Sequence, residues 1–488
     1  MLYLTLLLAI PLIGSLLISQ IAATRILLIR RLALAHASLT LLTAVGLMAL
    51  FDPGSTSLQL TEYFQWNSRL GTSYSLGIDG FSYPMVVLSA LLCFIAVLVS
   101  GNITKQVKDY FALLLLLETA ILGVFMAQDW ALFYLFWELT LIPLFFLIDR
   151  WGGANRHGAS INFVLYTMGG SVFLLISLLL LYETSPDRSF EMASMAAGAR
   201  TLDDGKQILI FLGFLIGFGV KIPIFPVHGW LPLAHVEAPS PVSILLSGIL
   251  LKMGAYGLIR AALTVPAGIA ALQPLLATLA LIGLIYGGLL AWRQRDMKRM
   301  IAYASMSHMG VVLLGIAALN TTGLMGASMQ MVSHGLVIAS LFLLIGLLYE
   351  RTKTRDIEQY SSLVRTAPRF TFFTVLAFLA AVGFPGTSGF IAELHILVGG
   401  FARWHWAVAP LTLGVLISAA YSIHTVGRLF TGPVRPAMRN VADMRPHEMV
   451  AASVLAAGIL FFGLFPASLL ALFSVSAGLF GAAFQSGF

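Results

Sequence analysis

Five strongly ionisable residues, Glu118, Glu138, Lys221, Lys252 and Glu393, each lie inside a long apolar stretch. In a bilayer such a group costs about 2.5–3.5 kcal/mol at a helix centre unless it is paired or hydrated. What carboxyl and amine groups share is the ability to hold and release a proton. Lys221 follows an apolar, glycine-containing run that begins at Ile208, and Pro223, Pro226 and Pro232 come soon after it. Proline removes a backbone donor, so the helix cannot continue regularly there. A cation beside a broken helix is expected where a transport pathway crosses a membrane.

Glu138 sits among Phe133, Tyr134, Phe136, Trp137, Thr140 and Pro143 and is the candidate partner for Lys221. An opposite charge close by holds a lysine charged, and loosening the pair lets it release its proton. The same two residues could instead be a static ion pair that locks two helices. Intramembrane ionisable groups are functional by default, which favours transport. Lys252 has apolar neighbours on both sides and glycines at 248, 254 and 257 that permit close helix packing. A snorkelling lysine would need a nearby interface, so a proton relay is the better reading. A second proline interruption, with Pro239 and Pro241, precedes it. Glu393 follows the break Gly383-Phe-Pro385-Gly386-Thr-Ser-Gly389. Glu118 fits equally well as a relay member or as a hydrogen-bonded packing residue.

His228, His235, His308 and His334 lie in or next to apolar stretches. A lone buried histidine is more often a satisfied core residue. Four of them between Lys221 and Glu393 favour a relay, because neutral imidazole both donates and accepts. His334, in mid-stretch, is the strongest relay candidate. His228 and His235 flank Trp230 and Pro232, where capping or loop bonding competes. Cys93 is the single cysteine, and the histidines show no recognisable ligand spacing, so no metal site is expected. Nor is there a phosphate loop, a dinucleotide fingerprint or a cysteine cluster for iron–sulfur binding.

These groups need a scaffold. The chain has 488 residues, 59% hydrophobic and 10% charged, too few charges to cover a soluble protein of this size. Apolar runs of roughly 20 residues, enough to span a hydrocarbon core as helix, recur along its length. The expected fold is an all-α polytopic membrane protein, a single membrane domain over 1–488. Continuous runs argue against a β-barrel. Fourteen spans are placed near 2–22, 32–51, 80–100, 110–127, 130–149, 159–182, 207–227, 239–259, 268–292, 300–319, 321–349, 370–398, 405–427 and 450–474. The first is read as a retained helix, since it lacks a basic leader region and a cleavage motif.

Loop charge supports that count. Loops after odd-numbered spans hold twenty Lys and Arg residues, and loops after even-numbered spans hold six. The bias puts the odd loops in the cytoplasm and both termini on the far side. The net charge of +7 is therefore a membrane-topology signal and not a nucleic-acid one. Spans 7 and 12 are both interrupted by Gly and Pro and lie five apart, so a five-helix repeat would be inverted in the membrane. Paired broken helices in inverted repeats point to a transport site near mid-membrane. The repeats are expected over 110–260 and 268–427, with flanking helices in 1–100 and 450–488.

The motifs around Glu138, around Lys221 through Pro232, around Lys252 through Arg260, from Ile301 to Gly310 and from Gly386 to Glu393 together carry a resemblance. The chain resembles the antiporter-like subunits of respiratory complex I and its photosynthetic relatives, and among them the M-type subunit (NuoM or NdhD). The glutamate at 393 favours this type. The resemblance covers essentially the whole chain. It implies fourteen helices in two inverted five-helix repeats and a proton path through Glu138, Lys221, Lys252 and Glu393 with histidines between. It also implies that Glu138–Lys221 is a switchable pair coupled sideways to neighbouring subunits, and that Glu393 is the exit or connecting group.

The implied activity is proton translocation within an NAD(P)H- or ferredoxin-driven quinone oxidoreductase, with iron–sulfur clusters and quinone in partner subunits and no cofactor in this chain. The implied partners are other membrane subunits, including a sister antiporter-like subunit, in a thylakoid or bacterial inner membrane. One departure stands out. The family commonly has aspartate two residues before the histidine at 235, and this chain has Leu233. That change, and the sequence from His235 to Pro241, resemble the isoforms of cyanobacterial carbon-dioxide-uptake complexes, and His235 is expected to be held differently. A sodium/proton antiporter subunit of Mrp type shares the scaffold and is the competing reading. A structural anchor without ion flux is a third.

Overall fold

The computed structural model describes residues 2–485 and is predominantly helical. With no water in a bilayer core, each apolar run must satisfy its own backbone, and helices do so. The chain opens with α1 (Tyr3–Gln20) and α2 (Ile26–Gly46), followed by an antiparallel hairpin of β1 (Gln59–Asn67) and β2 (Thr72–Ile78). Next come α3 (Ser82–Val99), α4 (Val107–Met126), α5 (Trp130–Leu139), α6 (Leu141–Trp151), α7 (Arg156–Thr184) and the short α8 (Met192–Ala199). The middle of the chain holds α9 (Asp204–Lys221), α10 (Trp230–Glu237), α11 (Ser240–Leu245), α12 (Leu251–Thr264), α13 (Pro266–Trp292), α14 (Met297–Ala317) and α15 (Thr321–Thr352). The remainder is α16 (Leu363–Thr366), α17 (Pro368–Ala381), α18 (Ser388–Trp404), α19 (Pro410–Phe430), α20 (Pro446–Leu464) and α21 (Ala467–Gln485).

Among the described residues, thirteen helical stretches are long and apolar enough to cross a membrane. The difference from the expected fourteen has local causes. The helix in the span expected at 207–227 is Asp204–Lys221, which ends at Lys221 and also holds the charged Asp204 and Lys206, and the span at 370–398 is divided between α17 and α18, so neither is among the thirteen. The span expected at 450–474 is instead two helices, separated at Phe465 and Pro466. Proline lacks the N–H that would continue the ladder. The expected span at 130–149 bends at Thr140, where α5 gives way to α6.

The bundle is concentric. The most apolar parts of Ser240–Thr264 and Thr321–Thr352 are wholly buried, and that of Met297–Ala317 nearly so. The outer helices, α2 and α7 among them, turn rows of Leu, Ile and Val outward. These two stretches carry Lys252 and His334, so the fold places this polar contact at its centre. Acidic caps outside the spans fix where helices begin. Asp129 accepts from the N–H groups of Ala131 and Leu132, starting α5, and from the N–H and Oγ–H of Ser73 on β2. The hairpin is thereby tied to the helix that carries Glu138.

Candidate functional site: a buried polar row

Lys221 is the last residue of α9 and is 1% exposed. Its Nζ donates to Thr140 Oγ1 at 3.0 Å and lies 4.2 Å from the centre of the Trp137 ring. The Trp137 indole is fixed by a 3.0 Å bond from Nε1 to Ser171 Oγ and packs on Phe133 and Phe218. A hydroxyl and an aromatic face can both receive a cation, the latter contributing about 0.5–2 kcal/mol. Glu138, the candidate partner, is not in contact with Lys221 here: no Lys221–carboxylate contact within ion-pair distance exists among the described residues. Glu138 instead lines an apolar groove of about 780 Å³ on the outside of the bundle, with Tyr134, Leu135, Phe145, Val164 and Met168. Its Oε1 is buried there without a hydrogen-bond partner.

The break after Lys221 runs from Ile222 to Gly229. The Trp230 indole closes it by donating to the Val220 carbonyl at 2.8 Å. The prolines keep this segment from winding on as helix, so the lysine ends a helix at depth and its side chain reaches across to Thr140.

Lys252 is fully buried. Between α11 and α12, residues Leu246–Leu250 form a π-helical turn, a form found mostly as single bulges and often at functional sites. The Ser247 carbonyl accepts from Lys252 Nζ at 2.7 Å. The same Nζ lies 2.6 Å from His334 Nδ1, and His334 Nε2 lies 3.0 Å from Ser305 Oγ. Ser305 Oγ is in turn 2.5 Å from Ser247 Oγ. The His308 ring stands edge-on to His334, with centroids 5.4 Å apart. Lys252, His334, His308 and two serines thus form one connected polar cluster in the apolar centre.

The second break is bonded to the helix that carries His334. Ser333, next to His334, has its Oγ 2.7 Å from Ser388 Oγ at the start of α18. Glu393 lies one turn further along α18 and folds back on the break, where a Cβ at Gly383 would meet its Oε2 at 2.6 Å. Gly383 has a φ of +72°, which favours glycine.

The remaining candidates are dispersed. Glu118 is completely buried on α4, and neither carboxyl oxygen has a hydrogen-bond partner. His228 packs against Phe225 and Tyr286, away from Lys252. His235 is fully buried and stacked on Phe342 at 4.6 Å, with both ring nitrogens unpartnered. Leu233, the departure two residues earlier, points out of the bundle and is 42% exposed. His235 is thus held by stacking.

Sequence reasoning missed Thr140, Ser247, Ser305 and Lys298. Thr140 and Ser305 lie in motifs already singled out. Hydroxyls are common in membrane helices, and nothing local separates a packing serine from a relay one. The expected span boundaries leave Lys298 and Arg260 in loops, yet both lie within helices. Lys298 is 4% exposed. Arg260 pairs with Asp79 at 2.7 Å and bonds the Tyr256 hydroxyl at 3.0 Å.

Known proteins share this architecture. A family model for the transmembrane part of NADH:quinone oxidoreductase/Mrp antiporter proteins matches residues 127–418, and one for the amino terminus of NADH-ubiquinone oxidoreductase chain 4 matches residues 17–128. NAD(P)H-quinone oxidoreductase chain 4 1 of Picosynechococcus is 42% identical over 428 residues, 85% of this chain and 80% of that protein. NADH-quinone oxidoreductase subunit M of Rhodobacter capsulatus is 38% identical over 445 residues, 89% of this chain and 86% of that protein. A chain of respiratory complex I from Thermus thermophilus superposes with a TM-score of 0.90 at 32% identity, covering 98% of this chain and 99% of that one. A chain of the Mrp complex from Dietzia has a TM-score of 0.88 at 22% identity, a likeness of fold alone. The chain belongs to the NADH:quinone oxidoreductase/Mrp antiporter family, and within it to the chain 4, or subunit M, type of complex I oxidoreductase subunit.

Proposed function

We propose that this chain moves protons along the row Glu138, Lys221, Lys252, Glu393, driven by quinone reduction in partner subunits. The observation that carries this is the Lys252–His334–Ser305–Ser247 cluster. It puts a lysine, an imidazole and two hydroxyls in unbroken hydrogen-bond contact at the centre of the bundle. Such a cluster serves transfer better than packing, because an apolar core of the same shape would be at least as stable. Lys221 held by neutral groups is one state of the Glu138–Lys221 switch, and closing the pair is the other. The outward groove at Glu138 suits a neighbouring membrane subunit, of which a sister antiporter-like subunit is the reading that the resemblance favours.

In this reading the chain crosses the membrane fourteen times, with inverted repeats over 110–260 and 268–427 and flanking helices in 1–100 and 450–488. The breaks after Lys221 and at Gly383–Thr387 support that symmetry. The charge bias of the loops supports a cytoplasmic location for the ends holding Trp151–Asn155 and Arg351–Arg355. Iron–sulfur clusters and quinone belong to partner subunits, and the membrane is a thylakoid or bacterial inner membrane. The carbon-dioxide-uptake form rests on Leu233 and the sequence that follows it.

Purification of the native assembly through a tag on this chain tests the reading. Hydrophilic iron–sulfur subunits are expected alongside it. Recovery of a set of small antiporter subunits in their place would favour cation/proton exchange.

A further inference from the structure

The apolar run of α13 stops at the half-exposed Trp292, and Arg293, Gln294 and Arg295 follow before α14 begins. Tryptophan concentrates at the membrane–water boundary, and arginine on its cytoplasmic side. The basic segment is held in place and is not a free loop. The Met297 N–H donates to the Arg355 carbonyl at 3.0 Å, and the Ile357 N–H to the Arg295 carbonyl at 2.9 Å.

A small polar pocket of about 150 Å³ lies there between α13, α14 and α19, and Arg293, Arg295, Glu358 and His424 stand in its lining. Its charge is unbalanced. Glu358 is the one carboxylate in the lining, and it already faces Arg428 at 3.8 Å. Arg293 and Arg295 have neither an ion-pair partner nor a side-chain hydrogen bond among the described residues. The exposed His424 adds a further N–H donor. A guanidinium fork matches a phosphate oxyanion bidentately, so two unneutralised forks at one pocket suit a phosphodiester.

The surroundings decide where that anion comes from. On the bilayer side of the pocket, α13 turns Ile282 and Leu289 outward, and α19 turns Leu416 and Ile423 outward. Those rows face hydrocarbon, so the pocket at their end stands at headgroup depth. Basic pockets between helices on the cytoplasmic side are where anionic headgroups are held. We propose that this pocket binds the headgroup of an anionic phospholipid, with Arg293 and Arg295 on the phosphodiester and the acyl chains along α13 and α19. The site is independent of the proton row, and no bond is made or broken in it.

Photo-crosslinking in the assembled complex tests this. Trp292→p-benzoylphenylalanine puts the probe beside the pocket, in liposomes of equal phosphatidylglycerol and phosphatidylcholine. Lipid adducts are expected to be enriched severalfold in phosphatidylglycerol. Adding Arg293→Gln with Arg295→Gln should bring the two lipids to parity. Arg25→Gln with Arg31→Gln, the same charge change at exposed positions on α2 and just before it, should leave the enrichment intact. Adducts without headgroup preference in the protein with both pocket arginines present would overturn the proposal, and that result needs no arginine variant to fold. An adduct with a partner subunit would overturn it in favour of a protein interface. Loss of enrichment on adding millimolar inorganic phosphate would make the pocket a free-anion site and overturn the lipid assignment.

Discussion

Lys252 Nζ and His334 Nδ1 stand 2.6 Å apart in the two most deeply buried helical stretches of the bundle. Each group relieves the desolvation of the other, and Ser247 and Ser305 complete the set. Lys252→Met removes the ionisable group while keeping its length. Proton translocation by the assembled complex should fall, and quinone reduction measured with an uncoupler should persist. His334→Gln retains hydrogen bonding without proton exchange, and dye-quench assays in vesicles should show the same separation. A fully coupled His334→Gln enzyme would make His334 a packing residue.

Among the described residues, Thr140 gives Lys221 its one side-chain hydrogen bond, at the bend between α5 and α6. Thr140→Val keeps the shape and removes the acceptor, leaving a buried lysine short of one partner at a cost of about 1–3 kcal/mol. The open arrangement should become less favourable relative to the closed Glu138–Lys221 pair. Turnover is expected to drop severalfold with assembly intact, read as quinone reduction per assembled complex. Unchanged turnover would show that the hydroxyl is not part of the switch.

Gly383 combines a left-handed backbone with a Cβ position only 2.6 Å from Glu393 Oε2. Gly383→Ala should strain the break by about 1–2 kcal/mol and push the carboxylate away. Loss of translocation in an assembled complex is the expected result. Gly427→Ala serves as the control, because nothing lies within 4 Å of its Cβ position.

Asp79 and Arg260 form a largely buried pair at 2.7 Å that ties the start of α3 to α12, the helix carrying Lys252. Removing one partner strands the other charge and costs about 3–5 kcal/mol. Asp79→Ala should lower the thermal stability of the purified assembly clearly more than Asp203→Ala, whose residue is at the protein surface and caps α9. Equal effects would mean that Arg260 finds other partners.

Much of this was legible in the residues themselves. Long apolar runs leave helices as the only option, and the prolines after Lys221 and the Gly-Pro cluster before Glu393 mark where helices stop. Lys221, Lys252 and His334 declared themselves because charge and imidazole are costly in apolar surroundings. The hydroxyl partners did not, since threonine and serine bear the same sequence signature whether they pack or relay. The π-helical turn before Lys252 was invisible because its backbone shift follows from tertiary packing. The division at Phe465 and Pro466 is hidden in the sequence because hydropathy is continuous across it. Lys298 and Arg260 each lie near the end of an apolar run, where the sequence suggests a loop, and only the folded chain shows that neighbouring helices cover them.

The most direct measurement is proton translocation per electron pair in the assembled complex carrying Lys221→Ala. Electron transfer to quinone, recorded with an uncoupler, reports on assembly in the same preparation. A proton-moving row centred on Lys221 predicts retained electron transfer with translocation lost. Wild-type translocation in that variant would contradict it and leave the chain a scaffold.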